Sequence, residues 1–403
     1  MQIKVHRGTH QVGGCITEIK TAKARIIIDM GAELPTADKS ENKELLIEGV
    51  TTGNPNCDAV LITHYHGDHI GMIDKVLPGI PIFMGDTAKK IHLILQQAIK
   101  EKIGVGNPEL VKTLETFTVG KKFKIKDITI TPLCVDHSAF DAYSFLIEAE
   151  GKRILHTGDF RMHGARGNKM PLVFEKYASD LDVLITEGTL LGRSGEKVMT
   201  EHELSKEAES LMQKHKNTFV ICSSTNIDSI AAFYNAAIKA RKPFIVCDQM
   251  QADILEIVTE NTTSSFYDFT RQKVYKYGKN LNNMMKDLGF CMMIRTNYAS
   301  RLAIKQFNDC VLIYSMWTGY LEKHRPAFDE HKASFIDEAR TGGANFVELH
   351  TSGHATTKDI KKLCETTKPK IIIPIHVEEP EGFKRLDIKS NIIILNDGEF
   401  LEI

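Results

Sequence analysis

Short runs of alternating apolar and polar residues open the chain and predict β-strands joined by turns. This alternation appears at residues 2–6, 15–19 and 25–29, and Gly13-Gly14 marks a turn between the first two runs. Sequential strands with such short links favour an antiparallel start. Further along, apolar runs predict strands at 59–63, 123–133, 144–149, 152–157 and 182–187, and an amphipathic pattern predicts a helix at 86–102.

The pattern changes after residue 195, where helical and strand-like segments alternate. Helices are expected at 201–216, 227–240 and from about 250, with strands at 219–223 and 243–247 between them. This order is typical of a parallel sheet with crossover helices. We therefore expect three segments: residues 1–194, a separate α/β domain at 195–341, and a closing part at 342–403 with strands at 345–349, 370–375, 391–395 and 400–403.

Composition and charge exclude several classes of protein. The 403 residues are 42% hydrophobic and 26% charged, an ordinary globular mixture, and the net charge of −1 gives the whole molecule no attraction to nucleic acid. The basic segments 121–126, 161–169 and 271–279 are candidate local patches, or simply solvated faces. No signal-like start, no membrane-length apolar run and no C-x-x-C pair among eight cysteines together predict a cytoplasmic protein without a membrane partner.

Four possible metal ligands follow the strand predicted at 59–63. His64 and His66 lie two residues apart, so in extended backbone both face the same side and can bind one ion. Asp68 and His69 follow where the chain turns and can reach a second ion. The alternative is a helix cap with unrelated histidines.

Other predicted strands also end in histidine or a carboxylate. Asp29 ends one of them and is either a turn residue or a group that orients a ligating imidazole. We expect His64, His66 and His137 to hold one ion, Asp68, His69 and His376 to hold the other, and Asp159 to bridge the two. Since this set is rich in histidine and lacks cysteine, it fits catalytic Zn²⁺ or a similar ion better than a structural zinc site.

Two ions about 3.5–4 Å apart can activate a water and polarise a phosphoryl oxygen, so phosphodiester hydrolysis is the expected chemistry. The leaving oxygen needs a proton, and His354 paired with Glu187 is a candidate general acid. Without an analogy, a histidine in such a loop is more often a surface or structural residue. Ser223 and Ser224 lie at a predicted strand-to-helix junction, where an anion could bind or where Thr225 or Asn226 could simply cap the helix.

These stretches resemble a known family. His64-Tyr-His66-Gly-Asp68-His69 resembles the signature of the metallo-β-lactamase fold, and Asp136-His137-Ser138 and His156-Thr-Gly158-Asp159-Phe160 resemble its next two ligand stretches. The stretches 185–189, 350–355 and 374–378 resemble the three extra motifs of the β-CASP branch, which includes RNase J. The resemblance implies an α/β fold, a four-layer αβ/βα sandwich with an inserted parallel-sheet β-CASP domain.

The resemblance implies a ribonuclease that acts on single-stranded RNA with two Zn²⁺, or Mn²⁺ in their place. Asp68, His354 and Glu187 would be catalytic, and Ser223, Ser224, Ser352 and Gly353 would bind substrate. A hydrolase of a small ester or phosphodiester, and an inactive metal-stabilised RNA-binding subunit, stay open as alternatives. The chain departs from RNase J at 314–320 and ends soon after the last motif, so the mode of cleavage and the oligomeric state, including a homodimer, also stay open.

Overall fold

The computed structural model describes residues 1–34, 45–192 and 198–403 of the chain. These residues form two compact units. The first unit comprises residues 1–34, 45–192 and 353–403, and the second comprises residues 198–352. The boundary expected between residues 194 and 195 lies outside the described residues.

The first unit contains two seven-stranded sheets. In the first sheet the strand order is β20-β1-β2-β3-β4-β5-β6, with antiparallel pairs from β20 to β3 and parallel pairs from β3 to β6. The antiparallel start predicted from the sequence is therefore present. These strands are β1 (Gln2–Arg7), β2 (Ile16–Lys20), β3 (Arg25–Ile28), β4 (Ala59–Leu61), β5 (Ile82–Gly85), β6 (Glu115–Phe117) and β20 (Phe400–Glu402).

The second sheet has the order β19-β18-β11-β10-β9-β8-β7. A single strand was expected at 123–133, but the structure has a hairpin there, because Lys126 adopts a left-handed φ of 52° and reverses the chain. Periodicity does not reveal so tight a turn. The strands are β7 (Phe123–Ile125), β8 (Ile128–Cys134), β9 (Tyr143–Ala149), β10 (Lys152–His156), β11 (Val183–Glu187), β18 (Ile371–Ile375) and β19 (Asn391–Ile392).

The two sheets pack face to face, with a core of branched aliphatic and aromatic side chains between them. Ile26 and Leu61 of the first sheet share this core with Ile147 and Ile185 of the second, and all four are fully buried. Burial of such side chains stabilises each by roughly 1.5–3 kcal/mol.

Helices cover the outer faces of the two sheets. Phe174 and Leu363 pack on the second sheet, and residues of the longest helix contact β5 and β6 of the first. The four-layer αβ/βα sandwich that the resemblance implied is thus confirmed. The helices of this unit are α1 (Gly67–Ile70), α2 (Asp86–Ile103), α3 (Pro108–Thr113), α4 (Met170–Tyr177) and α11 (Thr357–Thr367).

The second unit is built on a six-stranded parallel sheet in the order β14-β13-β15-β12-β16-β17. Its central strands are buried on both faces under helices, as expected for a parallel sheet. Its strands are β12 (Asn217–Cys222), β13 (Phe244–Val246), β14 (Val274–Lys276), β15 (Phe290–Ile294), β16 (Cys310–Ser315) and β17 (Asn345–Glu348), and its helices are α5 (Glu201–Lys214), α6 (Ile227–Lys239), α7 (Gln249–Glu260), α8 (Asn282–Leu288), α9 (Tyr298–Lys305) and α10 (Glu330–Thr341).

The end of the second unit differs from the expected boundary at residue 341. The strand expected at 345–349 was assigned to the closing part of the first unit, but β17 pairs in parallel with β16, with Leu312 opposite Phe346. Strand β17 is therefore the edge of the third sheet, and the second unit extends to Ser352. Among the helices in the described residues, none has both the length and the apolar character needed to cross a membrane.

Candidate metal centre and active site

Four strand ends of the second sheet converge on one edge. Strands β10, β11 and β18 are parallel neighbours, and β8 runs in the same direction with antiparallel β9 between it and β10. Their carboxyl ends therefore lie at the same edge, and each is followed within a few residues by a polar side chain. These side chains are His137 after β8, Asp159 after β10, Glu187 at the end of β11, and His376 after β18.

The first sheet contributes the remaining ligands through β4 and α1. Thr63 follows β4, and the chain then forms the one-turn helix α1 with His66 as its N-cap residue. Asp68 and His69 are on this turn, while His64 and His66 precede it. The short helix thus separates the two pairs of side chains, and the assignment of each pair to a different ion stays a prediction.

The first group consists of three imidazoles. His66 Nδ1 lies 3.2 Å from His64 Nε2 and 3.2 Å from His137 Nε2. These three nitrogens are mutually close enough to bind one cation, since one ligand atom from each residue lies within 4.8 Å of the others. His64 and His137 are almost completely buried.

Asp159 lies at the centre of the whole cluster. Its Oδ2 atom approaches imidazole nitrogens of both the first group and the second, so that one carboxylate faces both expected ion positions. Asp159 itself is buried, with 2% of its surface exposed. The Nε2 atoms near Oδ2 are those of His69 at 3.2 Å, His64 and His376 at 3.8 Å, and His137 at 4.0 Å.

The second group consists of Asp68, His69 and His376. Asp68 Oδ2 lies 3.2 Å from His376 Nε2 and 4.0 Å from His69 Nε2. Two buried atoms here, His69 Nε2 and Asp159 Oδ1, have no hydrogen-bond partner among the described residues. A buried polar atom without a partner is costly, and a divalent cation satisfies both. The residues present therefore fit a pair of divalent ions.

Hydrogen bonds to Nδ1, the ring nitrogen that points away from the cluster, hold four of the five imidazoles in place. His69 Nδ1 donates to Asp29 at 2.8 Å, and His137 Nδ1 donates to the Gly353 carbonyl at 2.7 Å. The hydroxyls of Thr63 and Thr189 lie 3.0 Å and 2.7 Å from Nδ1 of His64 and His376. Because Nδ1 is engaged, Nε2 is the nitrogen presented to an ion.

Asp29 is fixed in turn by neighbouring groups. It accepts from the backbone N–H of Thr63 at 2.7 Å and from the Thr63 hydroxyl at 2.8 Å. Asp29 and His376 both adopt a left-handed backbone, with φ of 63° and 49°. Such conformations cost energy in residues other than glycine and concentrate at functional sites.

Burial lowers the pKa of all three histidines of the first group. The pKa of His66 falls to about 4, and those of His64 and His137 fall well below the ordinary value. Desolvation is the main cause, since it penalises a charged ring. The three imidazoles are therefore neutral at pH 7, which is the form that binds a metal.

In the second group, interactions between charged side chains outweigh burial in setting the pKa values. Burial alone would raise the pKa of Asp68 and Asp159, but the surrounding histidines outweigh it and hold both pKa values below the usual range. For His69, burial lowers the pKa, yet Asp159, Asp29 and Asp68 raise it well above its usual value. This concentration of ionised carboxylates attracts a cation.

Glu187 and His354 form a pair beside the cluster. His354 Nδ1 lies 3.1 Å from Glu187 Oε2 and 3.5 Å from Asp159 Oδ2. Glu187 is completely buried and accepts from the backbone N–H groups of Phe160 at 2.9 Å and Ala355 at 3.3 Å. The His354 side chain is 22% exposed, so one side of the ring faces solvent while the other is held by the carboxylate.

The residues expected to bind substrate fall into both units. Gly353, in the first unit, contacts His137 through its carbonyl, and a Cβ added to it would lie 2.7 Å from Ser138 Oγ. Ser352 ends the second unit. Ser223 and Ser224 follow β12, and Asn226 caps α6 by accepting from the Ser229 N–H. The substrate-binding role of these four residues remains a prediction.

Three features of the site were absent from the sequence expectations. Thr189 bridges His376 and His354, with its hydroxyl 2.7 Å and 3.3 Å from their Nδ1 atoms. Cys15 lies near His69 and His376, although the expected ligand set contained no cysteine. Arg161, considered part of a basic surface segment, is instead fully buried and lies 3.2 Å from Asp136, next to His137.

Two family models match parts of this chain, and a solved structure shares its fold. Residues 25–220 match a family model described as a beta-lactamase superfamily domain, and residues 344–385 match one described as a Zn-dependent metallo-hydrolase RNA specificity domain. A crystal structure of a protein of unknown function from Enterococcus faecalis V583 superposes with a TM-score of 0.78 over 99% of both chains, at 20% identity, which indicates a shared fold.

Curated relatives extend along nearly the whole chain. Ribonuclease J of Helicobacter pylori is 23% identical over 98% of this chain and 60% of its own length. Ribonuclease J of a Synechocystis species is 21% identical over 98% of this chain and 64% of its own length. The chain thus spans less than two thirds of the length of either relative. Together with the fold and the order of the motifs, these matches support an RNase J-like protein with the metallo-β-lactamase fold and similarity to the β-CASP branch.

Proposed function

We propose that the chain is a metal-dependent ribonuclease that hydrolyses phosphodiester bonds of single-stranded RNA with two divalent ions and a histidine general acid. The observation that supports this best is the position of Asp159 Oδ2, which lies within 4.0 Å of the Nε2 atoms of four buried histidines. A bridging carboxylate between two histidine-rich groups is the arrangement that two ions need when they act together.

The residues divide between two ion positions. His64, His66 and His137 would hold one ion, Asp68, His69 and His376 the other, and Asp159 both. When bound, the ions would supply charge that polarises the phosphoryl group and lowers the pKa of a water molecule towards 7. We propose Zn²⁺, since neutral imidazoles with carboxylates suit it, and Mn²⁺ as the alternative.

The protein would contribute a proton to the leaving oxygen through His354. Glu187 accepts from His354 Nδ1, so the proton for the substrate would be on Nε2. Since Glu187 is held by two backbone N–H groups, it would keep the ring in one orientation during the reaction. Asp68 is assigned a catalytic role only through its position in the second group.

The substrate class is also a proposal. Relatives named ribonuclease J support RNA, as does the match of residues 344–385 to an RNA specificity domain. Gly353, Ser352, Ser223 and Ser224 are proposed to contact the phosphate backbone through hydroxyl and backbone groups, which position a nucleic acid without reading its sequence.

The test uses the purified chain with Zn²⁺ or Mn²⁺ on end-labelled single-stranded RNA, beside a small phosphodiester. Wild type should cleave RNA, and Asp68→Asn should lose at least about a hundredfold in rate. Asp74→Asn is the matched control, because Asp74 is an exposed carboxylate close by in the sequence and half of its side chain is exposed. Turnover of the small phosphodiester without RNA cleavage would refute the proposal that RNA is the substrate. RNA binding without hydrolysis of either substrate would refute the proposal that the chain is an enzyme.

A further inference from the structure

We propose that the thiol of Cys15 is a ligand of the second ion, beside Asp68, His69 and His376. The inference rests on the two-ion centre of the proposed function and adds to it a sulfur donor. It also increases the chemical difference between the two ion positions, since the first group offers only imidazole nitrogens and the shared carboxylate, whereas the second already includes the Asp68 carboxylate.

The loop that contains Cys15 is attached to two of the expected ligands of the second ion. This loop joins β1 to β2. The N–H of Cys15 donates to the carbonyl of Asp68 at 3.1 Å, and the N–H of His376 donates to the carbonyl of Gly8, at the start of the same loop, at 2.7 Å. Backbone hydrogen bonds therefore fix the position of Cys15 relative to Asp68 and His376.

The sulfur lies close enough to His69 and His376 to share an ion with them. The Sγ atom of Cys15, a nitrogen of His69 and a nitrogen of His376 lie within 4.8 Å of one another, and all three residues are buried. Bonds of about 2.0–2.3 Å to one zinc ion keep ligand atoms within roughly 4.6 Å of each other. Only a small closure is needed for all three atoms to bind the same ion.

Two further observations favour a ligand role over a packing role. His69 Nε2 is buried, lies in this group and has no hydrogen-bond partner among the described residues. Space for the sulfur depends on glycine, because a Cβ at Gly8 would lie 3.2 Å from Cys15 Sγ, and Gly8 has a φ of 110° that other residues rarely adopt.

A sulfur donor has a consequence for the choice of metal. Thiolates favour zinc over manganese and magnesium, which prefer oxygen ligands. The second position should therefore select Zn²⁺ more strongly than the first, and a protein loaded with Mn²⁺ should exchange that ion for Zn²⁺ first at the second position.

The test is loading of the full chain with Co²⁺, which gives an intense near-ultraviolet charge-transfer band when bound to a thiolate. Wild type should bind two Co²⁺ and show the band. Cys15→Ser should lose the band, keep the ion of the first group and bind the second at least about tenfold more weakly. Cys57→Ser is the matched control, because Cys57 is in the same unit and its Sγ lies 3.3 Å from the Ala59 carbonyl, a contact that serine can keep.

A second measurement uses wild type alone and so does not depend on the folding of a variant. X-ray absorption of the protein with two Zn²⁺ should show one sulfur ligand at about 2.3 Å for every two zinc ions. Two bound ions without a sulfur ligand, or a Co²⁺ band that persists in Cys15→Ser, would overturn the role of Cys15 while leaving the two-ion centre intact. Binding of fewer than two ions would overturn both proposals.

Discussion

His354 and Glu187 are 167 residues apart in the sequence, yet His354 Nδ1 lies 3.1 Å from Glu187 Oε2. Strand β11 supplies the carboxylate, and the segment that leads into α11 supplies the imidazole. The pair sits beside Asp159 without belonging to either group of expected ligands. A residue that is close to the proposed ion positions and exposed on one side is suited to proton transfer.

The first prediction concerns this pair. His354→Ala should slow RNA cleavage by about 10²–10⁴-fold, the usual contribution of a general acid, and Glu187→Gln should slow it by a smaller factor because the ring loses its orienting partner. Single-turnover cleavage at saturating RNA measures the rate, and metal analysis should still find two ions in both variants. Equal rates for wild type and His354→Ala would exclude the general-acid role.

The second prediction concerns Thr189, whose hydroxyl contacts both His376 and His354. Thr189→Val keeps the shape of the side chain but removes the hydroxyl, so affinity for the second ion should fall about 10–100-fold, the effect usual for outer-shell partners. Competition with a chelator measures the affinity of each ion. Thr189→Ser should restore it, and an unchanged affinity in Thr189→Val would contradict the prediction.

The third prediction compares two glycines near the metal ligands. A Cβ at Gly31 would lie 1.8 Å from the Asp68 carbonyl oxygen, whereas a Cβ at Gly67 would meet nothing within 4 Å. Gly31→Ala should therefore destabilise the protein by roughly 1–3 kcal/mol and weaken the second ion, because backbone must move. Gly67→Ala, in helix α1, should be neutral or slightly stabilising. Urea unfolding of both variants tests the difference, and similar losses of stability would disprove it.

The fourth prediction concerns His92, which is buried in α2 and remote from the ligand set in sequence. Burial lowers its pKa to about 4, so between about pH 6.5 and 4 the unfolded chain binds a proton that the folded chain does not. The contribution of His92 to stability is therefore complete above about pH 6.5 and falls with the pH down to about 4, by on the order of 2–3 kcal/mol.

The variant His92→Leu removes this titration. Its stability relative to wild type, measured by urea unfolding, should rise as the pH is lowered from 7 to 4.5. The matched control is His324→Leu, since the His324 side chain is 75% exposed. A constant difference for His92→Leu would show that the ring is protonated in the folded protein.

The sequence could predict those site residues that directly follow an apolar strand. His137, Asp159 and His376 each follow an apolar strand, and parallel strands place such ends at one edge, so their proximity could be inferred. Cys15 could not, because a cysteine in an apolar, strand-like run is indistinguishable from a small hydrophobic residue. Thr189 and the Gly353 carbonyl contribute single hydrogen bonds that depend on tertiary structure alone.

The fold also divides into features that the sequence predicted and features that it did not. Strand β17 was recognisable as a strand, but its sheet was not, because pairing with β16 is a non-local choice that leaves no trace in the residues of β17. The hairpin between β7 and β8 was missed because Lys126 is an unusual residue for a left-handed turn. In both cases the type of element was correct and its connection was not.

The order of the ligands along the chain has a consequence for biosynthesis. His64, His66, His137 and Asp159 all precede the second unit, whereas His354 and His376 follow it. The residues of the first group have thus all been synthesised while the ribosome is still translating the six-stranded domain, and the growing polypeptide is still incomplete. It acquires the proton donor and the last ligand only after that domain has been made. A nascent chain of this protein would therefore contain the proposed first group of ligands well before it contains the residues proposed to complete the second group and to donate a proton to RNA.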